Sequence, residues 1–235
     1  MLFRSRKLAF EVCVRINRAT PITPCSLVTL AVIGSGFRAL SVEETVAALR
    51  NLLAYVRARD LPTTEELRLD DPDEVRRQLD ALVENGVVSC FRDGPEPVYR
   101  IGPEQQLAAA YYRNTVIHFF VTAAVAVLAL LGASEDAVAD PLATFWEETL
   151  RVRDLLKFEF FFPEKERFRV EIAHELRQFD PEWEARVRGG GEEVRALIGR
   201  FRPFSSHRVL RPFVEAYGVV ADLLARQDQI GRAHV

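Results

Sequence analysis

An apolar run of 16 residues, from Val116 to Leu131, is interrupted only by His118 and Thr122. A helix that crosses a bilayer needs about 20 apolar residues. We therefore expect a helix that is buried in a protein core or lies against a bilayer, and spanning is the least favoured arrangement. The chain has 235 residues, 49% of them hydrophobic, which supplies enough apolar material for such a core.

The overall composition is that of an ordinary globular protein. Charged residues make up 28% of the chain and the formal net charge is −3, so no global basic excess indicates nucleic-acid binding. The three cysteines, Cys13, Cys25 and Cys90, are far apart and form no C-x-x-C pair. This pattern indicates a reducing environment and argues against a zinc site.

The middle of the chain contains the signals of two helices followed by a hairpin. Ser41–Glu44 is a capping box, and Asp71–Glu74 combines an N-cap Asp with a Pro at the first helical position. The β-prone runs Val87–Phe91 and Val98–Ile101 follow, with the turn residues Asp93–Glu96 between them. The order helix, helix, hairpin is the outline of a winged helix.

Charge argues against DNA binding by this module, residues 41–102. It contains 8 arginines and 13 acidic residues, whereas a protein that neutralises phosphates needs a basic surface. The second helix, which would contact bases, offers only Arg76 and Arg77. We interpret the module as a scaffold or a protein-interaction unit, because a fold does not determine a function.

From Pro103 onward the pattern is almost entirely helical. We expect one long helix from Pro103 through the apolar run, a second from Asp140-Pro141, and a last one from about Val209 to Ala225. Gly189–Gly191 is expected to be a flexible linker. The predicted fold class is mainly α, with a small winged-helix-like α+β module that contributes one β-hairpin.

The first 33 residues predict a helix that is broken at Pro21 and Pro24. Leu8, Val12 and Ile16 recur at helical spacing. The basic polar face of this helix is suited to anionic lipid, and it is equally typical of a face that is simply solvated.

Five polar or aromatic residues near the start of the apolar run are the main candidate site: Tyr111, Tyr112, Arg113, Asn114 and His118. On one continuous helix, Tyr111, Asn114 and His118 would share a face. One interpretation is a pocket that holds an anion such as phosphate, with Arg113 as the bidentate donor. The other is a hydrogen-bond network that joins this helix to a neighbouring domain.

Three weaker candidates lie further along the chain. Lys157 and Glu159 flank Phe158 and are expected to form a paired charge at the edge of an aromatic core. The phenylalanines from 158 to 162 are either core or a wall for an acyl chain. The segment Glu171-x-x-His174-Glu175 contains half of a di-iron motif without its second half, so we expect an exposed helix face and predict no metal site.

No catalytic constellation is found in the sequence. An acyltransferase base would be a His with four residues between it and an Asp; after His174 that position is Phe179, and Asp180 comes one residue too late. The motifs G-x-S-x-G, the P-loop and the dinucleotide-binding fingerprint are also missing. We therefore predict no catalytic residue in this chain.

Several segments together resemble the C-terminal region of bacterial glycerol-3-phosphate 1-O-acyltransferases. The matching segments occur in the order of that family and are Arg15–Pro24, Tyr111–His118, Leu155–Pro163 and Val209–Tyr217. The segment Tyr111–His118, with its Tyr-Tyr-Arg-Asn element and downstream His, is the most specific of them.

The resemblance implies a reaction and a set of partners. Members of the family transfer a fatty acyl group from acyl-CoA or acyl-carrier protein to the sn-1 hydroxyl of glycerol 3-phosphate, which gives lysophosphatidic acid. Their catalytic His and Asp and their phosphate-binding motifs would lie upstream of this chain, and the acyl donor is a co-substrate, so no cofactor is implied. The implied partners are a missing N-terminal acyltransferase domain, the substrates and a membrane surface, with no nucleic acid. The implied location is peripheral, at the cytoplasmic face of the inner membrane.

The chain is thus expected to have four parts. Residues 1–40 would be a helical exit from the missing domain, 41–102 the winged-helix-like module, and 103–229 a helical domain. Residues 230–235 match the translation of a common sequencing-library adapter, and the alternative is an ordinary frayed tail. We expect a support region that is inactive on its own; the alternative function is a free-standing winged-helix regulator or protein-interaction module.

Overall fold

The computed structural model of the chain describes residues 2–36, 38–64, 67–201 and 209–232, with side chains described between residues 7 and 226 of these ranges. Residues 233–235 of the expected adapter segment therefore lie outside it. Helices and one antiparallel hairpin make up the described regular structure, which confirms the mainly α fold class. The helices are α1 (Leu2–Ala19), α2 (Pro24–Ile33), α3 (Val42–Ala58), α4 (Pro72–Glu84), α5 (Gln106–Asn114), α6 (Val121–Ala133), α7 (Pro141–Leu156), α8 (Lys165–Phe179), α9 (Trp183–Gly189), α10 (Gly191–Arg200) and α11 (Arg211–Arg232).

Local capping chemistry determines where several helices begin. The Ser41 hydroxyl accepts from the Glu44 backbone N–H at 3.2 Å, and the Glu44 carboxylate accepts from the Ser41 N–H at 3.0 Å. The side chains of Asp71 and Asp140 accept backbone N–H groups in the same way at the starts of α4 and α7. Each cap satisfies donors that have no partner within the helix, so the predicted starts of α3, α4 and α7 are confirmed.

The hairpin consists of β1 (Ser89–Phe91) and β2 (Val98–Arg100). Both strands are shorter than predicted, and β1 starts late because the N–H groups of Val87 and Val88 bond to the carbonyl of Leu82 at the end of α4. Leu40 pairs with Tyr99 through two backbone hydrogen bonds of 2.8 Å, which forms an antiparallel bridge alongside β2. With α3 and α4 these strands have the order of a winged helix.

The predicted long helix from Pro103 is wrong, because the chain breaks it between α5 and α6. The Thr115 hydroxyl donates to the Tyr112 carbonyl at 2.7 Å and so occupies an acceptor at the end of α5. A 3-10 turn over Ile117–Phe119 then leads into α6. Tyr111, Asn114 and His118 consequently do not share one helix face.

The apolar run forms a buried helix, as predicted. Most side chains of α6 are buried, and the helix packs against α7, α8 and α10. A helix that is apolar on all sides needs neighbours on several sides, and these three helices provide them. Among the described residues, no helix has both the length and the hydropathy that crossing a bilayer requires.

The glycine triplet is not a flexible linker, and that prediction is wrong. Gly189 is the last residue of α9 and Gly191 is the first of α10, so a single residue separates the two helices. Gly190 has a φ of 70°, a backbone conformation that residues other than glycine rarely adopt. The triplet is therefore a tight corner.

The winged-helix elements and the helical domain share one core. A single hydrophobic cluster contains buried residues from both parts, and α2 packs against α3, α4 and α5. The rings of Tyr55 in α3 and Phe120 before α6 lie 5.2 Å apart. Packing of this kind means that the module is not free-standing within this chain.

The segment between α7 and α8, residues 157–164, contacts the first and last helices. The ring of Phe161 lies 5.3 Å from Phe10 of α1 in an edge-on arrangement, and Phe160 lies 5.0 Å from Phe213 of α11. The predicted break of the first segment at Pro21 and Pro24 is confirmed, since α1 ends at Ala19 and α2 begins at Pro24.

Candidate functional site

The structure places the five residues of the main candidate site in two locations. Tyr111 is exposed, Tyr112 is half-buried and Arg113 is buried, all at the end of α5. Asn114 is exposed beside them, whereas His118 lies beyond the helix break and contacts α1. Within the part of the chain that the structure describes, His118 contacts Asn17 and Phe119 rather than Arg113 or Asn114.

Arg113 is a buried cation with few polar partners. Only 6% of the residue is exposed, and its Nε and Nη2 donate to the side-chain oxygen of Asn114 at 3.1 and 3.0 Å. The guanidinium carbon lies 5.3 Å from the centroid of the Phe213 ring in α11. Burial lowers the pKa of Arg113 because it disfavours the charged form. The arrangement can attract an anion, and it can also hold α11 against α5 through the aromatic ring.

His118 joins the start of the apolar run to α1. Its Nε2 lies 2.7 Å from the carbonyl oxygen of Asn17, and because a carbonyl only accepts, Nε2 is the donor. Burial lowers the pKa of His118, and the bond to Asn17 opposes this shift. The ring therefore favours the neutral form and acts as a structural contact between two elements.

Two neighbouring cavities lie under α1. The first, about 230 Å³, is lined by Asn17, His118 and the segment from Phe160 to Pro163, among others. The second, about 780 Å³, is lined by Phe10 and Phe161 and by the cationic residues Lys7, Arg18 and Arg167, among others. Both cavities are lined by aromatic and cationic side chains.

Lys157 and Glu159 do not form the predicted ion pair. The Lys157 ammonium lies 5.1 Å from the ring centroid of Phe158, and Glu159 accepts from the Tyr217 hydroxyl at 3.1 Å. Lys157 is the C-cap residue of α7, so its side chain and that of Glu159 project from the turn that follows the end of the helix. The aromatic segment itself is mixed, since Phe158 and Phe161 are exposed while Phe160 and Phe162 pack against the core.

A buried ion pair between the residue that follows α3 and a residue of α8 was missed by the sequence interpretation. Arg59 donates from Nε to Glu175 at 3.1 Å and also from Nη2, and the two side chains are only 12% and 7% exposed. The guanidinium stacks 3.7 Å from the ring centroid of Tyr55, whose hydroxyl donates to the carbonyl of Phe119 at 3.1 Å. Burial raises the pKa values of Tyr55 and Glu175, although Arg59 opposes the shift at both groups.

The expectation of an exposed face around Glu171-x-x-His174 is therefore correct for His174 and wrong for Glu175. His174 is exposed and contacts Gln178, whereas Glu175 points inward. A signal was available: Glu175 lies three residues after Ile172 and seven after Phe168, so it falls on the buried stripe of α8. Across the described part of the chain, no group of three or more His, Cys, Asp or Glu side chains is placed to hold a metal ion.

Residues 3–234 match the family model described as the glycerol-3-phosphate acyltransferase C-terminal region. The chain therefore belongs to this family, which confirms the resemblance seen in the sequence.

Among similar relatives are proteins of Mycobacterium tuberculosis and Mycobacterium bovis named "Putative acyltransferase plsB1". They are 40% identical over 224 residues, which is 94% of this chain and 36% of each relative. A protein of Haemophilus ducreyi named "Glycerol-3-phosphate acyltransferase" is 27% identical over 161 residues, which is 68% of this chain and 19% of that protein. The chain thus spans about a third of the length of the mycobacterial relatives.

Proposed function

We propose that this chain is the C-terminal part of a glycerol-3-phosphate 1-O-acyltransferase. The complete enzyme would transfer a fatty acyl group from acyl-CoA or acyl-carrier protein to the sn-1 hydroxyl of glycerol 3-phosphate and release lysophosphatidic acid. The observation that carries the proposal is the family match over residues 3–234. The names of the relatives support the same activity.

The role that we assign to this chain is support of a catalytic domain that precedes it. Its polar side chains with unusual environments are engaged in contacts between elements: Arg59 with Glu175, His118 with the carbonyl of Asn17, and Arg113 with Phe213. A general base that activates a hydroxyl needs an open position for the substrate. These groups instead favour a scaffold.

The test is an assay of two proteins with palmitoyl-CoA and glycerol 3-phosphate. One is the 235-residue chain, and the other is the longer protein encoded by the intact gene. We expect turnover by the longer protein and none by the shorter one. Turnover by the 235-residue chain would contradict the support role, and an inactive longer protein would contradict the assigned reaction.

For Arg113 we propose the structural role over the anion site. Arg113→Met keeps the apolar stem against Phe213 and removes a buried charge, so we expect its melting temperature to be close to that of the wild type. We also expect inorganic phosphate to change the melting temperatures of the wild type and of the variant by the same amount. A phosphate-induced rise of the melting temperature that occurs in the wild type and is missing from the variant would instead assign an anion site to Arg113.

Attachment to a membrane surface, on the cytoplasmic side, is part of the proposal. It is supported by the exposed apolar side chains in the middle of α11: Val219, Val220, Leu223 and Leu224. Exposed apolar clusters of this kind are typical of interaction surfaces. Sedimentation with vesicles of phosphatidylglycerol is the test, and we expect Leu223→Glu with Leu224→Glu to weaken the association.

The alternative of a free-standing winged-helix regulator is not favoured by the structure, because the module shares its core with the helical domain. Salt-dependent DNA binding in a gel shift would favour it again.

A further inference from the structure

Helix α1 has apolar residues on two sides, and its contacts with the other described residues lie on one of them. On the inner side, Phe10 packs edge-on against Phe161 and the carbonyl of Asn17 accepts from His118. On the outer side, Leu8, Val12 and Ile16 are 66%, 46% and 59% exposed. A helix with two apolar sides is typical of a layer that is packed between two others.

The outer side has the shape of a helix-packing surface. Leu8, Val12 and Ile16 are spaced by four residues and form one ridge, and the small residues Ala9 and Cys13 lie beside it. Ridges of this spacing pack into the grooves of a second helix, and small neighbours leave room for its ridge in return. A helix that lies in a lipid surface instead presents a broad face of large apolar side chains.

The polar residues next to the ridge also suit a protein partner. Glu11 and Arg15 form an ion pair with Nε 3.1 Å from Oε1. A pair of opposite charges at the edge of an apolar ridge resembles the polar rim of a protein interface. It contributes little net attraction to anionic lipid.

The position of α1 in the family indicates the occupant. The matching family is a C-terminal region, and the mycobacterial relatives are almost three times as long as the matched segment. In such a protein α1 directly follows the preceding part, so the tether is short and the effective concentration of the two surfaces is high. This step rests on the proposed function.

We propose that the outer face of α1, defined by Leu8, Ala9, Val12, Cys13 and Ile16, is the docking surface for a helix of the preceding acyltransferase domain. Helix α1 then forms the middle layer between that domain and the segment around Phe161. Substitutions on the outer face weaken the packing of the C-terminal part against the preceding domain and leave the core of the C-terminal part intact.

Hydrogen exchange in the longer protein and in the 235-residue chain tests the proposal. We expect amide exchange within residues 8–16 to be slower by about tenfold or more in the longer protein, because docking suppresses local opening of the helix. Alkylation of the half-buried Cys13 should slow in parallel. In the longer protein, Val12→Glu with Ile16→Glu should restore the fast exchange. The matched control, Leu223→Glu with Leu224→Glu on α11, should leave the slow exchange unchanged.

Equal exchange in the two proteins would overturn the proposal. So would protection of the 235-residue chain by phosphatidylglycerol vesicles without any protection in the longer protein alone, since that result assigns the face to lipid. Circular dichroism of each variant verifies that α1 remains helical. Because the readout is exchange, an inactive longer protein would contradict the assigned reaction and still leave the docking surface testable.

Discussion

Glu175 shows how one side chain can connect two parts of a chain. Its carboxylate is paired with Arg59, the C-cap residue of α3, and the guanidinium in turn stacks on Tyr55. Burying either charge alone costs desolvation free energy, because no opposite charge would then compensate for the lost hydration. The pair therefore fixes the position of α8 against α3.

We expect Glu175→Ala to lower the free energy of unfolding by about 3 kcal/mol, since it leaves the Arg59 charge buried without its partner. The double variant Arg59→Met with Glu175→Leu should recover most of this loss, because both charges are removed and the volume is kept. Urea denaturation followed by circular dichroism measures both. A single variant as stable as the wild type would show that Arg59 is not desolvated in solution.

His118 predicts a dependence of stability on pH. Its pKa is lowered in the folded state, so between the folded and unfolded pKa values the unfolded chain binds more protons. Stability should therefore fall as the pH is lowered below about 6.5, the usual value for histidine.

The measurement is urea denaturation at pH 7.5 and 5.5 for the wild type and for His118→Gln. We expect the variant to lose less stability on acidification, because Gln does not bind a proton in either the folded or the unfolded state. His174→Gln, at an exposed position of α8, is the control and should behave as the wild type does. An identical loss in His118→Gln and in the wild type would contradict the assignment.

At the scale of elements, local chemistry made the helix starts predictable, and long-range contacts limited the rest. Ser41, Asp71 and Asp140 are recognisable caps because their hydrogen bonds reach only two or three residues along the chain. The break after Asn114 depends on a Thr hydroxyl that competes with a backbone donor, and periodicity does not show this. The stripe of α8 indicates that Glu175 faces inward, but its partner is an arginine 116 residues away, which no local pattern identifies.

The corner between α9 and α10 yields a matched pair of glycine substitutions. We expect Gly190→Ala to cost about 2 kcal/mol, because alanine is strained at a φ of 70° and its Cβ would lie 3.2 Å from Pro141. Gly199→Ala, within α10 and with nothing within 4 Å of a new Cβ, should gain about 0.5 kcal/mol from helix propensity. Thermal denaturation of both variants provides the measurement, and equal melting temperatures would contradict the tight corner.

At the scale of the whole molecule, fold class and family were predictable, whereas the joining of the parts was not. The mainly α class followed from periodicity and caps, and the order of four segments identified the family. The sequence does not show that Tyr55 packs on Phe120 or that α2 packs on α5, because no local pattern encodes such pairings. For the same reason the five candidate residues, close together in the chain, were not separable into two locations.

A shared core predicts cooperative unfolding. The two tryptophans, Trp146 and Trp183, both belong to the helical domain, so their fluorescence reports on that part alone. Circular dichroism reports on all helices, including α3 and α4. We expect the two signals to give the same urea midpoint. An earlier transition by circular dichroism would show that the winged-helix module unfolds first.

The corner at Gly190 also limits how the C-terminal helices can rearrange. A hinge requires residues that tolerate large changes of backbone dihedral angle, but Gly190 lies against Pro141 and its left-handed conformation holds α9 and α10 in one orientation. Movement of these helices relative to α7 would have to be a shear, in which packed side chains slide by small distances and the dihedral angles stay nearly constant. The three glycines, whose sequence suggests a hinge, therefore form a rigid turn between the two helices.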